Sequence, residues 1–113
     1  MPQTTRITPF QQRVYAACRR IPRGRVSTYR WLGEAVGCKS ARAIGQALKR
    51  NPFAPEVPCH RVVRSDRSLG GFSGQTSGGE VRRKREMLRA EGVRFGPNDR
   101  VEESALIRLA GPQ

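Results

Sequence analysis

STYRWLGEAVGCKSARAIGQALKR, residues 27–50, is the stretch that decides the fold. Ser27 or Thr28 can cap a helix that carries Leu32 and Val36 on its inner face and stops at Gly37, a residue suited to a helix C-terminus. After the turn Cys38-Lys39, Ser40 can cap a further helix running from Ala41 to about Arg50. Two short helices joined by such a turn, the second bearing Arg42, Lys49 and Arg50, have the layout of a helix-turn-helix. The second helix has an uncommon composition. Ile44 and Leu48 can face a core, whereas Ala41 and Gly45 place almost no side chain on another face. Either a partner's backbone or a neighbouring helix of the same domain can approach that bare face closely.

Upstream, Thr8 to Ile21 reads as a helix with Thr8 as N-cap, Pro9 at its first position, Gln11 three residues after the cap, and Phe10, Val14, Cys18 and Ile21 at helical spacing. Downstream, residues 51–58 hold three prolines and form a rigid connector that delivers Cys59 to a fixed place. Arg61 to Arg64 reads as a short strand, Ser65-Asp66-Arg67 as a turn and Ser68 to Phe72 as an extended return, together a wing. Gly74 to Gly79 is a polar loop, and Glu80 to Ala90 a basic helix with Val81, Met87 and Leu88 as its apolar contacts. Its run Arg82-Arg83-Lys84-Arg85 reads as a solvated face before it reads as a phosphate patch or nuclear address. Val93 to Phe95 and Ala105 to Leu109 can add a strand or a terminal turn. The expected architecture is mainly α with a small β wing, a winged helix-turn-helix in one domain over residues 1–113.

An excess of 22 Lys+Arg over 9 Asp+Glu gives a formal charge of +13, so nucleic acid is the expected partner. There is no long apolar run, signal-peptide core or lipidation motif, which implies a soluble intracellular protein without membrane contact, cytoplasmic in a prokaryote and nuclear in a eukaryote. Cys18, Cys38 and Cys59 lack CxxC spacing and share one histidine, so three free thiols are expected, with neither a disulfide framework nor a metal site. Cys18 sits on an apolar helix stripe and reads as core, Cys38 as a turn residue.

The chemistry concentrates in Pro58-Cys59-His60-Arg61-Val62. A cysteine becomes a nucleophile as its thiolate, and an imidazole and a guanidinium beside it favour that form. Adjacent side chains do not normally face each other, so a bridging water or a sharp local turn must couple Cys59 to His60. A carboxylate must then orient the imidazole. Among Glu56, Glu86 and Glu91, position favours Glu91, at a helix end beside Gly92. An ordinary half-buried histidine at a strand start is the plain alternative.

These residues resemble the O6-alkylguanine-DNA alkyltransferases. Pro58 to Val62 is similar to the family's acceptor motif, Ser40 to Pro52 to its recognition helix and following asparagine-proline, Val26-Ser27-Thr28-Tyr29 to the segment bearing its tyrosine, and Arg89-Ala90-Glu91-Gly92 to the helix end bearing its glutamate. The resemblance covers about residues 10–95, with the motifs in family order, and implies a single catalytic DNA-binding domain without the N-terminal domain of many relatives or the zinc ligands some carry there. It implies a minor-groove binder of double-stranded DNA containing O6-alkylguanine, acting as a monomer, with Ala41, Gly45, Thr28 and Lys49 at the DNA and Arg42 filling the space of an extruded nucleotide. Cys59 would take the alkyl group in a single turnover, His60 would deprotonate it through a water, Glu91 would fix the imidazole tautomer, and Tyr29 would donate to guanine N3. Asn51 would bond the turn around the cysteine, while Tyr29, Phe72, Ser73 and Arg61 would line the substrate pocket. No cofactor is implied. The sequence departs from the pattern at Phe72, where many members carry tyrosine, and in a longer link over Gln75 to Gly79. The competing functions are an alkyltransferase-like lesion binder, a type that characteristically lacks the acceptor cysteine, a winged-helix regulator reading the major groove, and a basic ribosomal or architectural protein.

Overall fold

Thr8 accepts the Gln11 N–H on its side chain while the Gln11 side chain accepts the Thr8 N–H, a reciprocal box that starts α1 (Pro9–Cys18). The computed structural model describes residues 7–53, 56–70 and 79–109. α1 ends earlier than its periodicity suggested, yet Ile21 still enters the core after the turn and is fully buried. Thr28, not Ser27, caps α2 (Tyr29–Ala35), its hydroxyl accepting from Trp31 N–H at 3.0 Å. Gly37 follows with φ at 74°, the left-handed conformation that ends the helix. Ser40 caps α3 (Ala41–Lys49) through the Ala43 N–H. The helix-turn-helix is therefore present with the predicted caps.

The glycines inside the two helices, Gly33 in α2 and Gly45 in α3, do different work. A Cβ on Gly33 would lie 2.6 Å from the Cys38 carbonyl oxygen, so α2 and the turn meet backbone to backbone there. A Cβ on Gly45 would meet nothing within 4 Å. The bare face of α3 therefore packs against no other part of the described chain at Gly45. Tyr15 fastens α1 to α3 by donating to the Ala47 carbonyl at 2.7 Å, and the Phe53 ring stands edge-on to it at 6.0 Å.

The sheet differs from the expected wing. β1 (Ser27–Thr28) pairs in parallel with β2 (Val62–Val63), Ser27 opposite Val62 and Thr28 opposite Val63. Arg61, predicted to be in that strand, belongs instead to a 3₁₀ turn over Cys59–Arg61. Both valines are fully buried, and a parallel partner inside the domain satisfies their backbone where both faces are covered. The predicted turn does form, with Arg67 N–H bonded to the Arg64 carbonyl and Arg64 N–H to that of Ser68. Of the predicted return, residues 68–70 are described and form no strand, while Phe72, Ser73 and most of the link after them lie outside the described residues.

Successive strand residues face opposite ways. Val62 accordingly joins a core with Val14, Tyr15, Ile21, Leu32, Ile44 and Leu48, while Val63 joins another with Val26, Leu69, Leu88, Val93 and Val101. α4 (Gly79–Ala90) feeds Leu88 and Val81 into this second core. Lys84 overturns the reading of residues 82–85 as a solvated face, since it is fully buried and Nζ donates to the carbonyls of Val62 at 2.7 Å and Leu69 at 2.6 Å. It lies one helical turn before Leu88, so the same stripe carries both inward. The segment after α4 adds pairing as expected: Phe95 bridges Val101, and Val26 exchanges bonds with Ala105 and Ile107.

Candidate functional site

The cysteine turn is built from its prolines and from Asn51. Pro58 has φ −81° and ψ 68°, and Cys59 N–H reaches back to the Val57 carbonyl at 2.8 Å, which is an inverse γ-turn suited to proline's fixed φ. The same carbonyl accepts Asn51 Nδ2 at 2.9 Å, and Asn51 Oδ1 accepts the Phe53 N–H at 2.8 Å. Asn51 directly follows the C-cap of α3, so one side chain ties the helix end to the Cys59 turn. Cys59 itself is half-buried against the first core.

The 3₁₀ turn separates neighbours that an extended chain would also have pointed apart. His60 is buried and its Nε2 lies 2.9 Å from Glu91 Oε2. Glu91 is placed by the end of α4: Val93 N–H bonds to the Leu88 carbonyl and Gly92 N–H to that of Arg89, with Gly92 at φ 94°, a Schellman arrangement with Glu91 at the cap. Arg61 grips the carboxylate in bidentate fashion, Nε to Oε1 at 2.9 Å and Nη2 to Oε2 at 2.8 Å, and sends Nη1 to the Ile21 carbonyl. Its guanidinium, assigned above to the substrate pocket, is thus committed to Glu91 and a core carbonyl. Of the three glutamates considered, Glu91 holds the imidazole.

Burial raises the pKa of the Glu91 carboxyl, but the hydrogen bonds and charges of Arg61 and His60 outweigh it and hold the group at about 2. Burial lowers the pKa of His60 despite the opposing pull of Glu91, so the ring is neutral at pH 7. A neutral imidazole facing a carboxylate must carry its proton on Nε2, since a carboxylate only accepts. Nδ1 is left with its lone pair. No hydrogen bond joins the Cys59 thiol to this ring among the described residues. Cys18, by contrast, is a core thiol that burial pushes up to about 12.

Tyr29 opens α2 directly after the ladder, and burial, with Cys59 nearby, pushes its hydroxyl up to about 12, so it retains its proton. Gly70, at φ 72°, brings bare backbone against the Tyr29 ring edge and hydroxyl, where a Cβ would come to 3.3 Å. Lys84 Nζ stands 5.7 Å from the ring centroid. Sequence reasoning missed this lysine; its spacing of four from Leu88 was the available signal. Thr28, assigned to the DNA, is instead buried with its hydroxyl occupied as the cap of α2. Ala41, Arg42 and Lys49 are exposed on α3, and Gly45 is partly exposed. Phe72 and Ser73 fall outside the described residues.

A family model described as the DNA-binding domain of 6-O-methylguanine DNA methyltransferase matches residues 9–93. The constitutive methylated-DNA–protein-cysteine methyltransferase of Bacillus subtilis is 45% identical over 75 residues, 66% of this chain and 46% of that protein. The crystal structure of Mycobacterium tuberculosis O6-methylguanine methyltransferase superposes with a TM-score of 0.67 at 39% identity, covering 82% of this chain and 54% of that one. Schizosaccharomyces pombe Atl1, in complex with damaged DNA containing O6-carboxymethylguanine, gives 0.74 at 29% identity and is covered over 100% of its length, with 93% of this chain. The chain spans about half the length of the curated methyltransferases it matches. A match over residues 9–93, most of the chain, on a mainly helical fold shared with these solved structures means that this chain belongs to the 6-O-methylguanine DNA methyltransferase family through its DNA-binding domain.

Proposed function

We propose that this chain repairs duplex DNA by transferring an alkyl group from guanine O6 to the Cys59 sulfur, once per molecule. The observation that carries this reading is the buried His60–Glu91 pair beside a cysteine held in a rigid turn. A bridging water passes the thiol proton to His60 Nδ1, the thiolate attacks the alkyl carbon in line, the S–C bond forms and the C–O6 bond breaks. The leaving guanine takes up a proton, with the Tyr29 hydroxyl donating toward N3, so the thiol proton is in effect returned to the base. The product thioether is stable and the protein is spent.

The bare face of α3 around Ala41 and Gly45 suits close approach to the sugar edges of the minor groove. Arg42 is exposed there as a side chain able to occupy the space of the flipped nucleotide, which offsets an unstacking cost of a few kcal/mol. Incubation with a duplex carrying O6-methylguanine is expected to add one methyl mass, mapped to Cys59, with an end point equal to the protein added. Absence of that mass, or repair by Cys59→Ala, would sink the transferase reading. The full-length match to Atl1 favours a second reading, lesion binding without transfer, which predicts retained affinity and no added mass.

A further inference from the structure

Helices α3 and α4 expose cationic faces that look out from different cores. α3 turns Ile44, Ala47 and Leu48 into the core on the Val62 side of the ladder, and α4 turns Leu88 and Val81 into the core on the Val63 side. The outer face of α3 is used by the function proposed above. That of α4 is not. Arg82, Arg83 and Arg89 are exposed along it. Arg82 and Arg89 are two helical turns apart on one side, a separation of about 10 Å at about 1.5 Å per residue. That equals roughly three base steps along one DNA strand at about 3.4 Å each. Arg23 arrives at the same helix end from the loop after α1, its Nη2 donating to the Ala90 carbonyl at 3.2 Å while the residue stays exposed.

Arg85 is neutralised by Asp99 at 2.6 Å, but no carboxylate of the described residues pairs with Arg82 or Arg83. Glu86 lies one helical turn from Arg82 and from Arg89, a single carboxylate against three arginines, and Arg89 also stands over the Phe95 ring at 5.6 Å, so the face keeps a cationic excess. The formal charge of +13 also exceeds what the cations of α3 account for.

We infer that this face of α4, made by Arg82, Arg83 and Arg89 with Arg23, is a second surface for the phosphate backbone of duplex DNA. One molecule then bridges two duplex segments, α3 on the lesion-bearing one and α4 on the other. The bridging rests on the reading of α3 as the lesion-DNA face. A biotinylated, lesion-free duplex on beads, a fluorescent duplex in solution and the full chain provide the test. The wild-type protein is expected to capture the fluorescent duplex at one protein per two duplexes. The R82Q/R83Q/R89Q variant should lower capture at least fivefold, with a log–log salt slope shallower by about 2.7, since each phosphate no longer neutralised by an arginine removes about 0.9. Its affinity for a single O6-methylguanine duplex should stay within twofold. The inference is overturned if the wild type captures nothing, if the variant captures as well as wild type, if the bridged species holds two protein copies, or if single-duplex affinity falls in step with capture. Capture by a protein that transfers no methyl group would sink the transferase reading and leave the bridging surface standing.

Discussion

Glu91 carries two obligations at once, a charge partner for Arg61 and an acceptor for His60. Glu91→Gln retains an acceptor but removes the charge, and transfer to Cys59 is expected to slow by about 10²-fold or more, the usual range for losing a positioned base. Single-turnover kinetics by quench flow measure it. The pH dependence follows from both groups. His60 has a folded pKa below its ordinary 6.5, so between those values the unfolded chain binds more protons and stability falls as pH drops through that window. Glu91, at about 2 against 4.5, contributes stability that is present above pH 4.5 and lost as pH falls toward 2. Transfer should hold a plateau at neutral pH and fall only at a pH lower than the ordinary imidazole value, as Nδ1 becomes protonated in a ring whose pKa burial has lowered. Ser27 is a different case: its hydroxyl is buried with no hydrogen-bond partner among the described residues. Ser27→Ala is therefore expected to be neutral or to raise stability by about 1 kcal/mol in urea unfolding, relieving an unpaired polar group.

At the scale of elements, the glycines inside α2 and α3, Gly33 and Gly45, should respond oppositely to alanine. Gly45→Ala has open space and a helical position, so it should stabilise by up to about 1 kcal/mol while weakening lesion-duplex binding. Gly33→Ala should destabilise by about 1–3 kcal/mol, because the new methyl group meets the Cys38 carbonyl. Thermal unfolding and fluorescence anisotropy separate the two effects. The caps Thr8, Thr28 and Ser40 and the break at Gly37 were legible because they act within four residues and use side chains with one local purpose. Glu91 was legible for the same reason, through the glycine that ends its helix. The partner of Val62–Val63 was not, since nothing near residue 62 announces residue 27 as its neighbour. Lys84 was misread because its charge outweighed its place on the Leu88 stripe. The resemblance to a family supplied the roles of Tyr29 and Asn51; local pattern alone would have left an aromatic at a helix start and an asparagine before a proline.

For the whole molecule, Lys84 is the cross-member that ties β2 and the chain at Leu69 to α4. Lys84→Met keeps the volume but strands two buried carbonyls, those of Val62 and Leu69, at a cost of about 1–3 kcal/mol in denaturant unfolding. Cysteine turn, tyrosine and glutamate come from three separate stretches of chain, and the two-residue ladder is what joins the first two. Between its strands, Thr28 and Val62, the chain must complete the entire helix-turn-helix. Closing that loop costs more entropy than forming the local helices, so the ladder is expected to form after them, an order that φ-values at Val62 and Ala47 would check. On the proposed function, a newly made chain would then form α3 before it seats the Cys59 turn, and an alkylating reagent would find no assembled site until that last small parallel pairing had closed.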